Sequence, residues 1–207
     1  MKPVVAADQP GPVQREPIKE KFVAFDQPLA ARLARRLRLL RRSPLMSKPR
    51  VAITAGDPSG IGPEVAAKAA AEASVLDVCE PIVYSATPAA GFVPGTLSAA
   101  AGRAAYDTIV RATADAGAGL VDAVATAPIS KEALRLAGLP WSGHTDLLAH
   151  LTGSPHVAMM FYSDRLRVVL ATVHVALAEV PRLLTQASLE ATIELTAREL
   201  PGGAEER

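Results

Sequence analysis

Lys131, His144, Thr145 and His174 are the side chains whose types and settings suit chemistry on a small anionic molecule, and the backbone around Asp57 and Gly60 suits holding one. From Val51 to Glu64 the chain reads VAITAGDPSGIGPE, a β-branched run that breaks into glycines and prolines and passes at once into an alanine-rich helix former. In an open α/β sheet such strand-to-helix turns bind ligands, because glycine lets the backbone approach closely and helix N-terminal amides point outward. No Gly-Lys-Ser/Thr follows, and the spacing is not G-x-G-x-x-G, so the stretch is neither a Walker loop nor a dinucleotide fingerprint. It reads as a substrate loop, with a plain connector as the alternative.

Thr126 to Lys131, TAPISK, again leaves a strand for a helix. A lysine there can neutralise a phosphate as a point charge; the competing reading is a solvated lysine on a surface helix. Gly143, His144 and Thr145 place an imidazole and a hydroxyl side by side, a pairing that can hold an anionic or hydroxylated substrate while the histidine moves protons near neutral pH. A lone histidine is more often a satisfied structural residue. Asp146 reads mainly as a first-turn helix residue. His174 ends the apolar run Val168–Val173, so its ring emerges at a strand terminus, where a capping or buried role competes with a chemical one. His150 and His156 have no such setting, and no two of the 4 histidines have the spacing of a helical metal site.

Alternating elements must carry these residues. Short apolar runs predict strands over 50–55, 81–84, 123–127, 157–162 and 166–173, and helical patterns cover 63–73, 99–116, 131–136, 146–151 and 188–200. The alternation implies an α/β fold, three-layer α/β/α, with a mostly parallel sheet. A hairpin across Ser163 and Asp164 makes that sheet mixed.

Composition narrows the class. With 207 residues, 49% of them hydrophobic, the chain can bury a core of one domain or two small ones. No apolar run approaches the roughly 20 residues needed to cross a bilayer. The single cysteine, Cys79, cannot form an internal disulfide, which suits a cytoplasmic location, and it lies in no catalytic motif.

The net charge of +1 hides an asymmetry: residues 1–50 carry a strong excess of Lys and Arg, and the remainder an excess of Asp and Glu. Pro3, Pro10, Pro12, Pro17 and Pro28 punctuate the first part, followed by an Arg-rich amphipathic pattern over 30–42. Residues 1–46 therefore read as a disordered or non-native basic leader, with the fold starting at 47. An organelle presequence, a membrane-surface or nucleic-acid patch, and translated upstream sequence before Met46 are the readings of this leader.

The glycine loop, TAPISK, Trp141-Ser142-Gly143-His144-Thr145-Asp146 and Ala171-Thr172-Val173-His174 stand in one order, and together they resemble the 4-hydroxythreonine-4-phosphate dehydrogenase family of vitamin B6 biosynthesis, from about Met46 to about Leu200. The resemblance implies an isocitrate/isopropylmalate-dehydrogenase-like fold. It also implies oxidation and decarboxylation of a phosphorylated hydroxy amino acid with NAD or NADP and a divalent metal (Zn, Mg or Co), in a cytoplasmic homodimer that engages neither nucleic acid nor membrane.

By the same resemblance Lys131 and His144 are catalytic, His144, Thr145, Asp57 and Gly60 bind substrate, and His174 is a metal ligand. The family's further histidine motifs, of the Asn-Pro-His-Ala-Gly and His-Asp-Gln-Gly kind, do not occur, and the segment between Tyr84 and Arg103 is short. The sequence thus reads as the N-terminal portion of such an enzyme. A non-catalytic remnant or substrate-binding module, or a dehydrogenase of a related acid such as threonate or erythronate phosphate, is the alternative.

Overall fold

The computed structural model describes residues 48–87, 91–163 and 165–199, and the backbone of 21–25. The chain runs β1 (Lys21–Phe25), β2 (Arg50–Thr54), α1 (Gly62–Ala71), α2 (Ala73–Val78), β3 (Glu80–Tyr84), α3 (Ala99–Gly117) and β4 (Ala123–Thr126). It continues through α4 (Lys131–Leu136), α5 (His144–Thr152), β5 (Val157–Tyr162), β6 (Arg167–Leu170), a 3-10 turn (Leu177–Glu179), α6 (Val180–Leu183) and α7 (Gln186–Glu199).

Strands β3, β2 and β4 form a parallel sheet with β2 in the centre, Thr54 facing Tyr84 on one side and Thr126 on the other. One face packs on α3 through Ala52, Tyr84, Ala112 and Val121. The other packs on α1 through Ile53, Ala55, Ala66 and Ala127. Small side chains at both contacts let the helices lie close to the sheet, which gives the three layers expected of the α/β pattern. Tyr84 reinforces the first contact: its hydroxyl donates to Asp115 Oδ2 at 2.6 Å, and the Arg111 guanidinium lies 5.6 Å from its ring centre. The hydrogen bond to Asp115, then burial, holds the phenol above its usual pKa.

The helices start and stop where their caps dictate. Ser98 Oγ accepts from Ala101 N at 3.1 Å to open α3, and Ser130 Oγ accepts from Ala133 N at 3.2 Å to open α4. Pro63 sits in the first turn of α1, where its missing N–H is not needed. Gly153, at φ +62°, closes α5 in the left-handed region.

Two features of the strand pairing differ from the sequence expectation, and α2 and α6 are helices it did not contain. The hairpin β5–β6 does form, with Ser163 N donating to Leu166 O at 2.9 Å, but it joins β1 in a separate antiparallel sheet of order β1-β5-β6 and does not extend the parallel one. Lys21–Phe25 is a strand paired with Val157–Phe161, so a leader without order does not describe these five residues. The remainder of residues 1–47, including the Arg-rich 30–42 pattern, lies outside the described residues. Helices α5 and α7 pack on β1 and β5. Among the described residues no helix is long and apolar enough to cross a membrane. Several large apolar side chains stand in solvent, Ile61 at 66%, Val78 at 67%, Leu177 at 86% and Ile193 at 58% exposure.

Candidate functional site

The site is built where β2 and β4 end side by side. Ala127 N donates to Thr54 O at 2.9 Å and Asp57 N to Pro128 O at 3.0 Å, so the loop leaving β2 is laced to the loop leaving β4. Glycine makes this possible. Gly56 has φ +69°, and a Cβ there would fall 2.1 Å from Pro128 O; one on Gly62 would fall 2.0 Å from Ala55 O. A side chain at Gly56 would push the two loops apart, and one at Gly62 would push the start of α1 away from the end of β2.

Within the first loop, Asp57 Oδ1 accepts from Ser59 N at 2.8 Å and Asp57 O from Gly60 N at 3.0 Å. Asp57 is 8% exposed, so its carboxylate shapes the loop and is largely withdrawn from solvent. Gly60 is exposed at the loop's tip, and a Cβ there would meet Asp57 O at 3.5 Å, an ordinary contact. Its value to a ligand is therefore open backbone. The loop is held from above too, because Gly95 N donates to Ser59 O at 2.7 Å.

The second loop delivers Lys131 as the first residue of α4, exposed to solvent. The position of α4 is in turn set by α3. At Gly102 a Cβ would sit 2.0 Å from Ala133 O, so the two helices touch backbone to backbone. This residue escapes a sequence reading because its value lies in what it touches 31 positions later; its one local signal is a glycine inside an alanine-rich helix.

The third segment meets the second. Lys131 Cε lies 3.9 Å from the place a Cβ on Gly143 would occupy, which puts the lysine stem against the turn preceding His144 and Thr145. His144 and Thr145 open α5 and are half-buried. His144 Nε2 is buried and has no hydrogen-bond partner among the described residues. Burial lowers the imidazole pKa, opposed by the charge of Asp146, so His144 is a neutral base near pH 7 with an unfilled polar atom. Such a group can accept a hydrogen bond from a substrate hydroxyl or take its proton. Asp146 is itself partly buried, which would raise its pKa, yet hydrogen bonds from Ser142 outweigh this and hold it below the usual value.

Lys131 thus lies beside the turn that precedes His144 and Thr145, and the loop that leads into Lys131 is laced to the glycine loop at Pro128. His174 is different: it is exposed, follows β6 and has φ +57°, the one positive φ at a non-glycine among the described residues. All 4 histidines and Cys79 fall within the described residues, where no group of three or more His, Cys, Asp or Glu side chains is placed to hold a metal ion. The described residues therefore do not by themselves make the expected metal centre. His150 instead stacks on Trp141 with ring centres 4.5 Å apart, and Cys79 Sγ points to Val75 O at 3.4 Å; both read as structural.

Comparison with known proteins agrees with the motif order. Residues 21–206 match the family model of the pyridoxal phosphate biosynthetic protein PdxA, a match that starts at Lys21 and so before Met46. The chain is 38% identical to the 4-hydroxythreonine-4-phosphate dehydrogenase of Geobacter metallireducens over 194 residues, covering 74% of this chain and 57% of that protein. The D-threonate 4-phosphate dehydrogenase of Cupriavidus necator is 36% identical, with 70% and 56% covered. Among solved structures, the 4-hydroxythreonine-4-phosphate dehydrogenase of Klebsiella pneumoniae matches with a TM-score of 0.66 at 34% identity, covering 73% of this chain and 58% of that one. The chain therefore spans about 57% of the length of the curated relatives it matches. On a family match that spans all its described residues and a shared fold, the chain belongs to the PdxA family of dehydrogenases.

Proposed function

We propose that this chain forms the substrate-positioning part of a dehydrogenase for phosphorylated four-carbon hydroxy acids, 4-phosphohydroxy-L-threonine first among them. One chain of contacts supports the reading: the glycine loop 56–62 is laced to the loop after β4 at Pro128, that loop leads into Lys131, and the Lys131 stem lies against the turn before His144 and Thr145. Lys131 supplies the positive charge a phosphate or carboxylate requires, and open backbone at Gly60 lets the ligand approach. Thr145 offers a hydroxyl. His144, neutral and buried at Nε2, accepts the proton of the substrate hydroxyl as it is oxidised.

NAD or NADP as hydride acceptor, a divalent metal (Zn, Mg or Co) to polarise the alcohol, a homodimeric assembly and a cytoplasmic setting belong to this proposal. Of the metal ligands, His174 is the one the resemblance supplies. Relatives carrying the threonate name are 36% identical against 38% for the hydroxythreonine name, so similarity alone does not choose between the two acids. Calorimetric titration with each acid tests the proposal, paired with NADH formation measured with added NAD and metal. The expected result is saturable binding, weakened at least tenfold in Lys131→Ala, without turnover by the chain alone, because the described residues offer neither a dinucleotide loop nor a metal centre. Absence of binding to either acid would overturn the proposal. Steady NAD-dependent turnover lost in His144→Ala would show a complete enzyme in place of a positioning part.

A further inference from the structure

We propose that Asp146 is a positioning residue: its carboxylate clamps the Ser142–Gly143 turn and so sets where His144 and Lys131 stand relative to each other. The inference rests on the proposed function only in supposing that these two residues serve one ligand. Asp146 is the third residue of α5, and the helix has no other cap, since Gly143 before it has no side chain to offer. Its Oδ1 accepts from Gly143 N at 2.9 Å, and its Oδ2 accepts from Ser142 N at 2.5 Å and from Ser142 Oγ at 2.9 Å. An ordinary capping box at this position needs one such bond. Three donors from two consecutive residues fix the turn itself, beyond satisfying the helix end.

What lies on that turn gives the clamp its consequence. The Lys131 stem runs against Gly143, the central residue held by Asp146, and His144 is the next residue along, with Nε2 buried and unpartnered. Releasing the turn would therefore displace both groups at once. Of the other elements that contact α5, α3 carries Arg103, paired with Asp107 at 3.9 Å, and Asp115, which holds the Tyr84 hydroxyl, with Arg111 over the same ring, and β1 carries Lys21 at its first position. Strand β5 carries no Asp, Glu, Lys or Arg. The charge of Asp146 is also the one that opposes the effect of burial on His144.

The test uses the full chain with ¹⁵N-labelled histidine, whose 4 imidazoles give few enough signals to assign His144 by its loss in His144→Gln. Imidazole shifts and their pH titration are recorded for Asp146→Ala, Asp146→Asn, Asp146→Glu and Ser142→Ala, with Ser98→Ala as a control that removes a cap from α3. Asp146→Ala and Asp146→Asn should move the His144 titration by about half a pH unit or more and change its ring shifts. Ser142→Ala, which alters no charge, should shift the ring signals in part. Asp146→Glu should restore the parent signals, while Ser98→Ala should lower Tm and leave His144 unmoved. Should Asp146→Ala fail to fold, Asp146→Asn and Ser142→Ala carry the test. His144 signals unchanged in Asp146→Asn and Ser142→Ala would reduce Asp146 to a helix cap and overturn the proposal. None of these readings requires turnover, so a chain without dehydrogenase activity or substrate binding would count against the proposed function and leave this assignment standing.

Discussion

Replacing Gly102 by alanine opposes two effects of known size. Inside a helix such as α3, glycine to alanine ordinarily stabilises by about 1 kcal/mol, because glycine has more backbone freedom to lose. Here the added Cβ would fall 2.0 Å from Ala133 O, 2.3 Å from Ala133 C and 2.8 Å from Leu134 N. All three are backbone atoms of α4, so no rotamer change relieves the contact and the helices must separate. Overpacking of this kind costs about 1–3 kcal/mol, occasionally more, which against the propensity gain leaves a net loss of up to about 2 kcal/mol. Gly117, in the last position of α3, provides the control: nothing lies within 4 Å of its Cβ position, so Gly117→Ala should be neutral or stabilising. Urea unfolding of the three proteins, with m held constant, reads the difference directly. Because α4 carries Lys131, the shift should also weaken ligand binding about tenfold, equivalent to 1.4 kcal/mol. A Gly102→Ala protein as stable as Gly117→Ala would show that the helices do not meet where the structure places them.

Other outcomes follow from the same geometry. Gly56→Ala combines a φ of +69° with a Cβ 2.1 Å from Pro128 O and should cost at least about 2 kcal/mol, read by thermal or urea unfolding. Thr54 Oγ1 is buried without a partner among the described residues, in a residue of 0% exposure, so Thr54→Val should be neutral or up to about 1 kcal/mol more stable in the same assay. The lowered pKa of His144 means that the unfolded chain takes up its proton first as the medium is acidified. Stability should therefore fall as pH drops below about 6.5 and level off below the folded-state pKa, and His144→Gln should flatten that slope in a pH series of denaturation midpoints.

Much of this site was legible in the sequence because its signals are local. The glycines and prolines of 56–63 mark a turn between a β-branched strand and an alanine-rich helix, and Ser130 and Lys131 mark a helix start; both stand where expected. The boundaries of the expected strands and helices agree to within a few residues, apart from β6, which ends at Leu170 while its apolar run continues to Val173; the short helices α2 and α6 were not expected. Features that depend on distant partners were not legible. Lys21–Phe25 lies in a proline-punctuated, basic stretch, and its pairing with β5 is fixed by residues more than a hundred positions away. The separation of parallel and antiparallel strands into two sheets is likewise a tertiary outcome. Gly102 and the triple engagement of Asp146 show their meaning only when Ala133 and the Ser142–Gly143 turn are brought alongside.

The central claim, that three separate segments make one ligand site, is tested most directly by mapping backbone amide shifts during titration with 4-phosphohydroxy-L-threonine and, separately, with D-threonate 4-phosphate. The account predicts that amides of 56–62, 129–131 and 143–146 shift together along a single binding curve for at least one acid, and that Lys131→Ala weakens all three groups equally. Shifts confined to one segment, or segments titrating with different affinities, would contradict it.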